Sequence, residues 1–241
     1  MMKDRIFSKP ITSVTEFVFD ESVTKVFPDM IQRSVPGYDL IVSMIGMYAG
    51  KYTKPGTHCY DLGCSLGAVT MAMLKDISID DCHIFAVDNA PAMINKLRKM
   101  LSQKNYHIPV EVIEEDVCCV LISNASVVAL NFTLQFIDPK ERSRLIRNIY
   151  HGLNPGGILI LSEKIAHDDA GEEDFHVTHH MDFKRHNGYS DLEISQKRTA
   201  LENILIPESI QAHIHRMQDV GFHTPRVWFK CFNFISVFAE K

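Results

Sequence analysis

The chain has 241 residues, a net charge of −5, and 46% hydrophobic and 23% charged residues. That is enough chain for one large α/β unit with a real core, in the ordinary balance of a globular protein. Proteins that grip nucleic acid usually present a basic face, so the acidic balance favours a small-molecule substrate over direct RNA or DNA binding.

Met1 to Arg5 carries no apolar run, so no signal peptide is expected, and no stretch approaches the roughly 20 apolar residues that span a bilayer. A cytoplasmic location without membrane contact is the expectation. The six cysteines (Cys59, Cys64, Cys82, Cys118, Cys119 and Cys231) form no C-x-x-C pair. They read as reduced thiols, mostly within apolar runs, and not as zinc ligands.

Residues 1–55 read as a mixed helical leader, punctuated by Pro28 and Pro36. Asp20-Glu21-Ser22 is a helix start, and Asp39–Lys51 has helical spacing that ends near Gly50. Strands and helices then alternate. His58–Asp61 predicts a strand, 66–75 a helix, Cys82–Asp88 a strand, and Pro91–Gln103 a helix with proline in its first turn. Val110–Ile113 and Ala125–Asn131 predict strands. Pro139–Leu153 is an amphipathic helix closed by Asn154-Pro155-Gly156-Gly157, and Ile158–Ser162 is a strand. Strands separated by such helices imply a parallel sheet with right-handed crossovers.

Residues 163–206 break this rhythm. They are polar, rich in His, Asp and Glu, with helix-like pieces such as Asp191–Asn203. A helix over Glu208–Val220 follows, then strands over Arg226–Lys230 and Phe234–Ala239. Only three residues separate those two strands, which suits an antiparallel hairpin. The expectation is a single domain over 1–241, with 163–206 as a helical insertion or lid.

Four strand ends carry candidate ligand groups. The first is the loop Asp61-Leu62-Gly63-Cys64-Ser65-Leu66-Gly67, where glycine permits positive φ and close approach to the main chain. The second is Asp88 with Asn89, about 20 residues further on, where an acid suits a ribose diol. The third is Asp116 with Val117, an acceptor for an adenine amino group beside an apolar side chain. The fourth is Asn131, whose amide can reach a ligand. Singly, Asp88 and Asp116 read equally well as helix caps or turn residues; their recurrence at successive strand ends favours a nucleoside site.

A nicotinamide-binding domain would read G-x-G-x-x-G, but Ser65 stands where its second glycine belongs and Asp61 precedes the loop. These departures favour S-adenosylmethionine. The histidines do not suggest a metal. His213 and His215 stand two apart on a helix, His179 and His180 are adjacent, and no carboxylate set completes either pair.

Asp61 to Gly67 resembles the D-L-G-C-G-x-G motif of class I S-adenosylmethionine-dependent methyltransferases, and Leu153-Asn154-Pro155-Gly156-Gly157 resembles their L-x-P-G-G motif. The fold this implies is class I methyltransferase-like (Rossmann-like) α/β: a doubly wound, mostly parallel seven-stranded sheet with a C-terminal antiparallel hairpin strand. Longer stretches resemble one family within that fold, the carboxy-S-adenosylmethionine synthases of the tRNA wobble-uridine pathway. They include Val26 to Tyr38, Tyr60 to Gly67, Asn131 to Phe136, Phe183-Lys184-Arg185, Asn187 to Ser190, Leu192 to Arg198 and Cys231 to Phe234. Ser65, a departure from the generic glycine, is that family's own residue.

The resemblance implies conversion of S-adenosylmethionine and prephenate to carboxy-S-adenosylmethionine and phenylpyruvate. A partner enzyme, a tRNA carboxymethyltransferase, would consume the product. Carried over by position, the cofactor-binding residues would be Tyr38, Gly63, Cys64, Ser65, Asp88, Asn89, Asp116, Val117 and Asn131. Arg198 would bind the added carboxylate as the catalytic residue, and the protein would be a homodimer. The chemistry asks for little else. A positive sulfur stabilises an adjacent carbanion, prephenate yields carbon dioxide as it aromatises, and the departing hydroxide takes the methyl proton. The protein must supply a dry pocket and a cation, for which arginine's planar fork suits a carboxylate. An ordinary methyltransferase for a small molecule or tRNA, and a non-catalytic S-adenosylmethionine-binding subunit, remain open alternatives at this point.

Overall fold

The computed structural model describes residues 2–241. Two helices lead, α1 (Glu21–Ser34) and α2 (Tyr38–Tyr52). The alternating part comprises β1 (Thr57–Leu62), α3 (Ala68–Asp76), β2 (Cys82–Asp88), α4 (Pro91–Leu101), β3 (Val110–Glu114), β4 (Ala125–Asn131), α5 (Pro139–Gly152) and β5 (Leu153–Lys164). Then come α6 (Ala170–His186), α7 (Asp191–Leu201), α8 (Ile210–Val220), β6 (His223–Cys231) and β7 (Phe234–Glu240).

The strands form one seven-stranded sheet in the order β3-β2-β1-β4-β5-β7-β6. Strands β1 to β5 pair in parallel, β7 runs antiparallel to β5, and β6 antiparallel to β7. The doubly wound sheet and the C-terminal hairpin are as the sequence predicts. The chain winds outward from β1 to β3, then restarts on the other side of β1 with β4. Ligand crevices of such sheets open at the carboxyl ends of the strands flanking that reversal.

Alternation along β4 sets the two core layers. Val128 and Leu130 pack with Leu145, Ile146 and Ile149 of α5 and Met217 of α8. Val127 and Ala129 pack with Ile41 and Ile45 of α2 and Met73 of α3. Successive strand residues point to opposite faces, so helices cover both sides and β4 is buried almost throughout.

Two elements depart from the sequence expectation. Proline at position 28 does not punctuate α1, which runs through it. Proline offers no N–H to the carbonyl one turn earlier, and that carbonyl, Thr24 O, instead accepts Lys96 Nζ at 3.0 Å. Strand β5 begins at Leu153, not Ile158. Leu153 pairs with Ala125, and after a register shift Ile158 pairs with Val127, so the Asn154–Gly157 turn interrupts the strand without ending it.

The segment expected as an insertion holds α6 and α7. Asp169 caps α6 through Glu172 N, and Ser190 with Glu193 forms a capping box on α7. Helix α7 and the turn before it are bound to the leader. Gln196 Nε2 donates to Phe7 O and Lys9 O, both at 2.9 Å, and Tyr189 Oη donates to Asp4 Oδ2 at 2.6 Å. Phe17 N donates to Ala200 O at 3.0 Å. The six cysteines are free, and Cys59, Cys64, Cys82 and Cys118 are buried. Among the described residues, no helix is long and apolar enough to cross a membrane.

Candidate cofactor and substrate site

The carboxyl ends of β1, β2 and β4 and the turn after β3 open into one cavity of about 250 Å³. Gly63 and Gly67 shape the β1 loop at φ +81° and +78°. A Cβ at Gly63 would collide with the Thr133 side chain, and one at Gly67 with Leu97, so both positions need glycine for space as well as for φ. The amides of Gly63 and Cys64 donate to Val87 O at 2.8 and 2.9 Å, locking the loop onto the end of β2. Ser65 holds φ +48°, a left-handed conformation uncommon outside glycine.

Two carboxylates, the buried Asp61 and the half-buried Asp88, organise this end. Asp61 Oδ2 accepts Thr70 N at 2.9 Å and Thr70 Oγ1 at 2.6 Å, fixing the start of α3. Burial pushes its pKa up to about 6, against the lowering effect of those bonds. Asp88 accepts Ser65 N and Ala90 N, each at 2.9 Å, and burial raises its carboxyl against those bonds. Asp116 Oδ1 accepts Cys118 N at 2.8 Å, a turn that sets the carboxylate beside buried Val117. Asp88 and Asp116 thus make local cap and turn bonds, and both still line the cavity.

Tyr38, Gly63, Cys64, Ser65, Asp88, Asn89, Asp116, Val117 and Asn131 all line this one cavity. Tyr38 opens α2 with its ring 6.3 Å from that of Phe132, and burial, with Asp61 and Asp39, raises its hydroxyl. Asn131 Oδ1 is buried with no hydrogen-bond partner. An orphaned acceptor on the wall, with open glycine backbone and acids at two strand ends, fits the hydroxyls, amino groups and ring of a nucleoside.

Arg198 is placed differently. It is exposed on α7 and does not line the cavity, whereas its neighbour Lys197 is buried and does.

Further lining comes from the end of β5 and from α6 and α7. It presents Lys164, Lys184, Lys197 and His180. Lys197 Nζ donates to Ser34 Oγ at 3.0 Å, and His180 Nε2 pairs with Ser34 O at 2.8 Å. Burial, then the charge of Lys184, drives His180 down to about 2, so the ring is neutral and donates that bond. These groups were missed in the sequence. Lys164 had a signal, since it closes β5 just as Asn131 closes β4; Lys184 and Lys197 sit where no hydrophobic period marks a face.

Outside the cavity, His167, Glu172 and His176 bring possible ligand atoms within 4.8 Å of one another. Lys230 lines the same hollow, and burial, His167 and Lys230 all lower His176.

Comparison with known proteins agrees with this geometry. A family model described as a methyltransferase domain matches residues 60–157. A putative S-adenosylmethionine-dependent methyltransferase from Methanococcus maripaludis superposes with a TM-score of 0.60 at 19% identity, over 95% of this chain and 97% of that one. Human N-acetylserotonin methyltransferase, solved with S-adenosylmethionine, gives 0.59 at 15% identity, over 92% of this chain and 55% of that one. Fold and cavity therefore define a class I methyltransferase-like protein.

The sequence narrows the class. A carboxy-S-adenosyl-L-methionine synthase from Geobacter sp. (strain M21) is 58% identical, over 99% of this chain and 98% of that protein. Its counterpart from Escherichia coli (strain K12) is 52% identical, over 99% and 97%. The chain belongs to the carboxy-S-adenosyl-L-methionine synthase family.

Proposed function

We propose that this protein converts S-adenosylmethionine and prephenate to carboxy-S-adenosylmethionine and phenylpyruvate. The observation that carries this reading is the reach of the likeness. It covers 99% of the chain and so includes the inserted helices, whose residues line the same cavity as the nucleoside-fitting strand ends.

When bound, S-adenosylmethionine supplies a sulfonium whose positive charge acidifies its methyl group. The residues of this chain do the rest by position. Asp88 and Asn89 hold the ribose end, Asp116 and Val117 the adenine, and Gly63, Cys64 and Ser65 offer backbone to the chain between. Asp61, protonated at low pH, keeps the start of α3 in place through Thr70. The leader and the insertion cover the cavity. Phe17 and Phe19 from one, with Leu201 and Leu205 from the other, exclude water where a reactive carbon must meet carbon dioxide and not a proton.

The proton leaves the methyl group for the hydroxide lost from prephenate, giving water, so the step calls for no strong protein base. Arg198 would bind the new carboxylate. Its charge is felt at both Lys164 and Lys184, which supports a position near the cavity mouth. The same reading makes the protein a cytoplasmic homodimer, consistent with its unpaired thiols, whose product feeds a tRNA carboxymethyltransferase.

The test is to incubate the protein with S-adenosylmethionine and prephenate and weigh the nucleoside product. A species heavier by one carbon dioxide is expected. Methyl transfer to an acceptor without prephenate, and no carboxylated product, would make it an ordinary methyltransferase.

A further inference from the structure

One wall of the cavity carries more positive charge than its own residues neutralise. Lys164, Lys184 and Lys197 converge there from β5, α6 and α7. Among the described residues, none of the three forms an ion pair with a carboxylate. Lys197 is tethered to Ser34 Oγ and faces the Tyr189 ring at 5.5 Å. The Lys164 and Lys184 ammonium groups make no hydrogen bond among the described residues.

The acids of the cavity do not compensate. Asp61, Asp88 and Asp116 belong to the strand-end wall, where Thr70, Ser65, Ala90 and Cys118 occupy them. Burial lowers all three lysines: Lys184 to about 7, with Lys197 and Lys164 repelling it, and Lys197 to about 8, with Arg33 repelling it against the opposite pull of Asp4 and Asp29. Glu173 alone pulls Lys164 the other way. Holding cations together at a cost in a dry cavity is the mark of a missing anion.

The nature of the anion follows from charge counting. S-adenosylmethionine brings one carboxylate, and its own ammonium and sulfonium make it a net cation. Two untethered ammonium groups match a ligand with two carboxylates and no cation of its own. Neutral His180 donates to Ser34 and so adds no third charge, while it helps fix the residue that anchors Lys197.

We propose that Lys164 and Lys184 are the receptor for the two carboxylates of the carboxyl-donating substrate, with Lys197 held by Ser34 as the supporting charge behind them. The proposal rests on the prephenate reading above and assigns its recognition to named side chains. Lysine's mobile point charge also suits a substrate that loses one carboxylate during turnover, whereas a rigid guanidinium fork would hold it.

The experiment uses Lys164→Met, Lys184→Met and Lys184→Arg in the full-length protein, each checked by thermal melting. Removing a half-buried, unpaired charge is not expected to unfold the chain. Binding of prephenate and of phenylpyruvate is titrated calorimetrically on protein loaded with S-adenosylhomocysteine. Each Met variant should bind prephenate at least about tenfold more weakly; the variant at the lysine that meets the carboxylate absent from phenylpyruvate should lose less for phenylpyruvate, and the other about as much. Affinity for S-adenosylhomocysteine should change by less than about threefold, and Lys184→Arg should recover part of the loss.

Unchanged prephenate binding in both Met variants overturns the proposal. So does an equal loss for S-adenosylhomocysteine, which would give the lysines to its amino-acid carboxylate, and so does wild-type protein that binds no prephenate. Lysine-dependent prephenate binding without carboxylated product would uphold the receptor and reject the reaction.

Discussion

Asp88 Oδ2 accepts the amide of Ser65 at 2.9 Å, tying the end of β2 to the glycine loop after β1. Its other oxygen accepts Ala90 N and starts α4. One carboxylate therefore shapes two walls of the cavity and keeps lone pairs for the ribose contact proposed for it. Asp88→Ala removes the loop tether, the α4 start and the ribose acceptor together. Affinity for S-adenosylhomocysteine should fall about 30-fold or more by calorimetry, since hydrogen bonds to a charged group are worth about 1.5–3 kcal/mol. Asp88→Asn keeps one acceptor and should lie between. Parental affinity in Asp88→Ala would remove Asp88 from the site.

The left-handed turn at Gly63 is needed for space as much as for φ. Gly63→Ala would drive a methyl group into Thr133, whose hydroxyl donates to Leu62 O at 2.9 Å. A cost of about 2–4 kcal/mol is expected in denaturant unfolding, from strain plus overpacking. In the Thr133→Ala background most of the colliding atoms are gone, so the double variant should lose less than the two single losses summed. Strict additivity would mean that the contact does not decide the position.

The strand ends were legible because chemistry and period coincide there: each short apolar run closes on Asp61, Asp88 or Asn131. The cationic wall was not. Helix α6 has polar residues on every side, and its buried members are the histidines His176 and His180, so no apolar stripe marks its inward face. On α7, buried Lys197 and exposed Arg198 are adjacent, and charge pattern alone cannot say which turns inward. Pro28 misled for a related reason. The carbonyl it leaves free is taken by Lys96, which is distant in sequence.

Glu163 predicts an unusual pH dependence of stability. It is fully buried, accepts Leu134 N and Gln135 N at 2.8 and 2.9 Å, and burial still pushes it up to about 8. A carboxyl whose folded pKa lies above its unfolded one holds a proton that the unfolded chain has released. Its stabilisation is complete below the unfolded pKa and is lost as pH rises through the folded value. Between pH 6 and pH 8 this group alone should remove about 2 kcal/mol, read as a falling denaturant midpoint. Glu163→Gln cannot titrate and should flatten that slope, whatever its own stability. The same slope in parent and variant would mean that Glu163 is ionised in the native protein.

The role proposed for Arg198 separates nucleoside binding from recognition of the added carboxylate. Its side chain is exposed, so Arg198→Leu should fold as the parent does, and no strand-end contact is disturbed. Affinity for S-adenosylmethionine should stay within about threefold. Affinity for carboxy-S-adenosylmethionine should drop about tenfold or more, because one charge-assisted, bidentate pair is lost. The informative quantity is the ratio of the two dissociation constants, measured by competition on the same protein sample. A ratio equal to the parent's would free Arg198 of the role and leave the carboxylate to Lys197 and its neighbours.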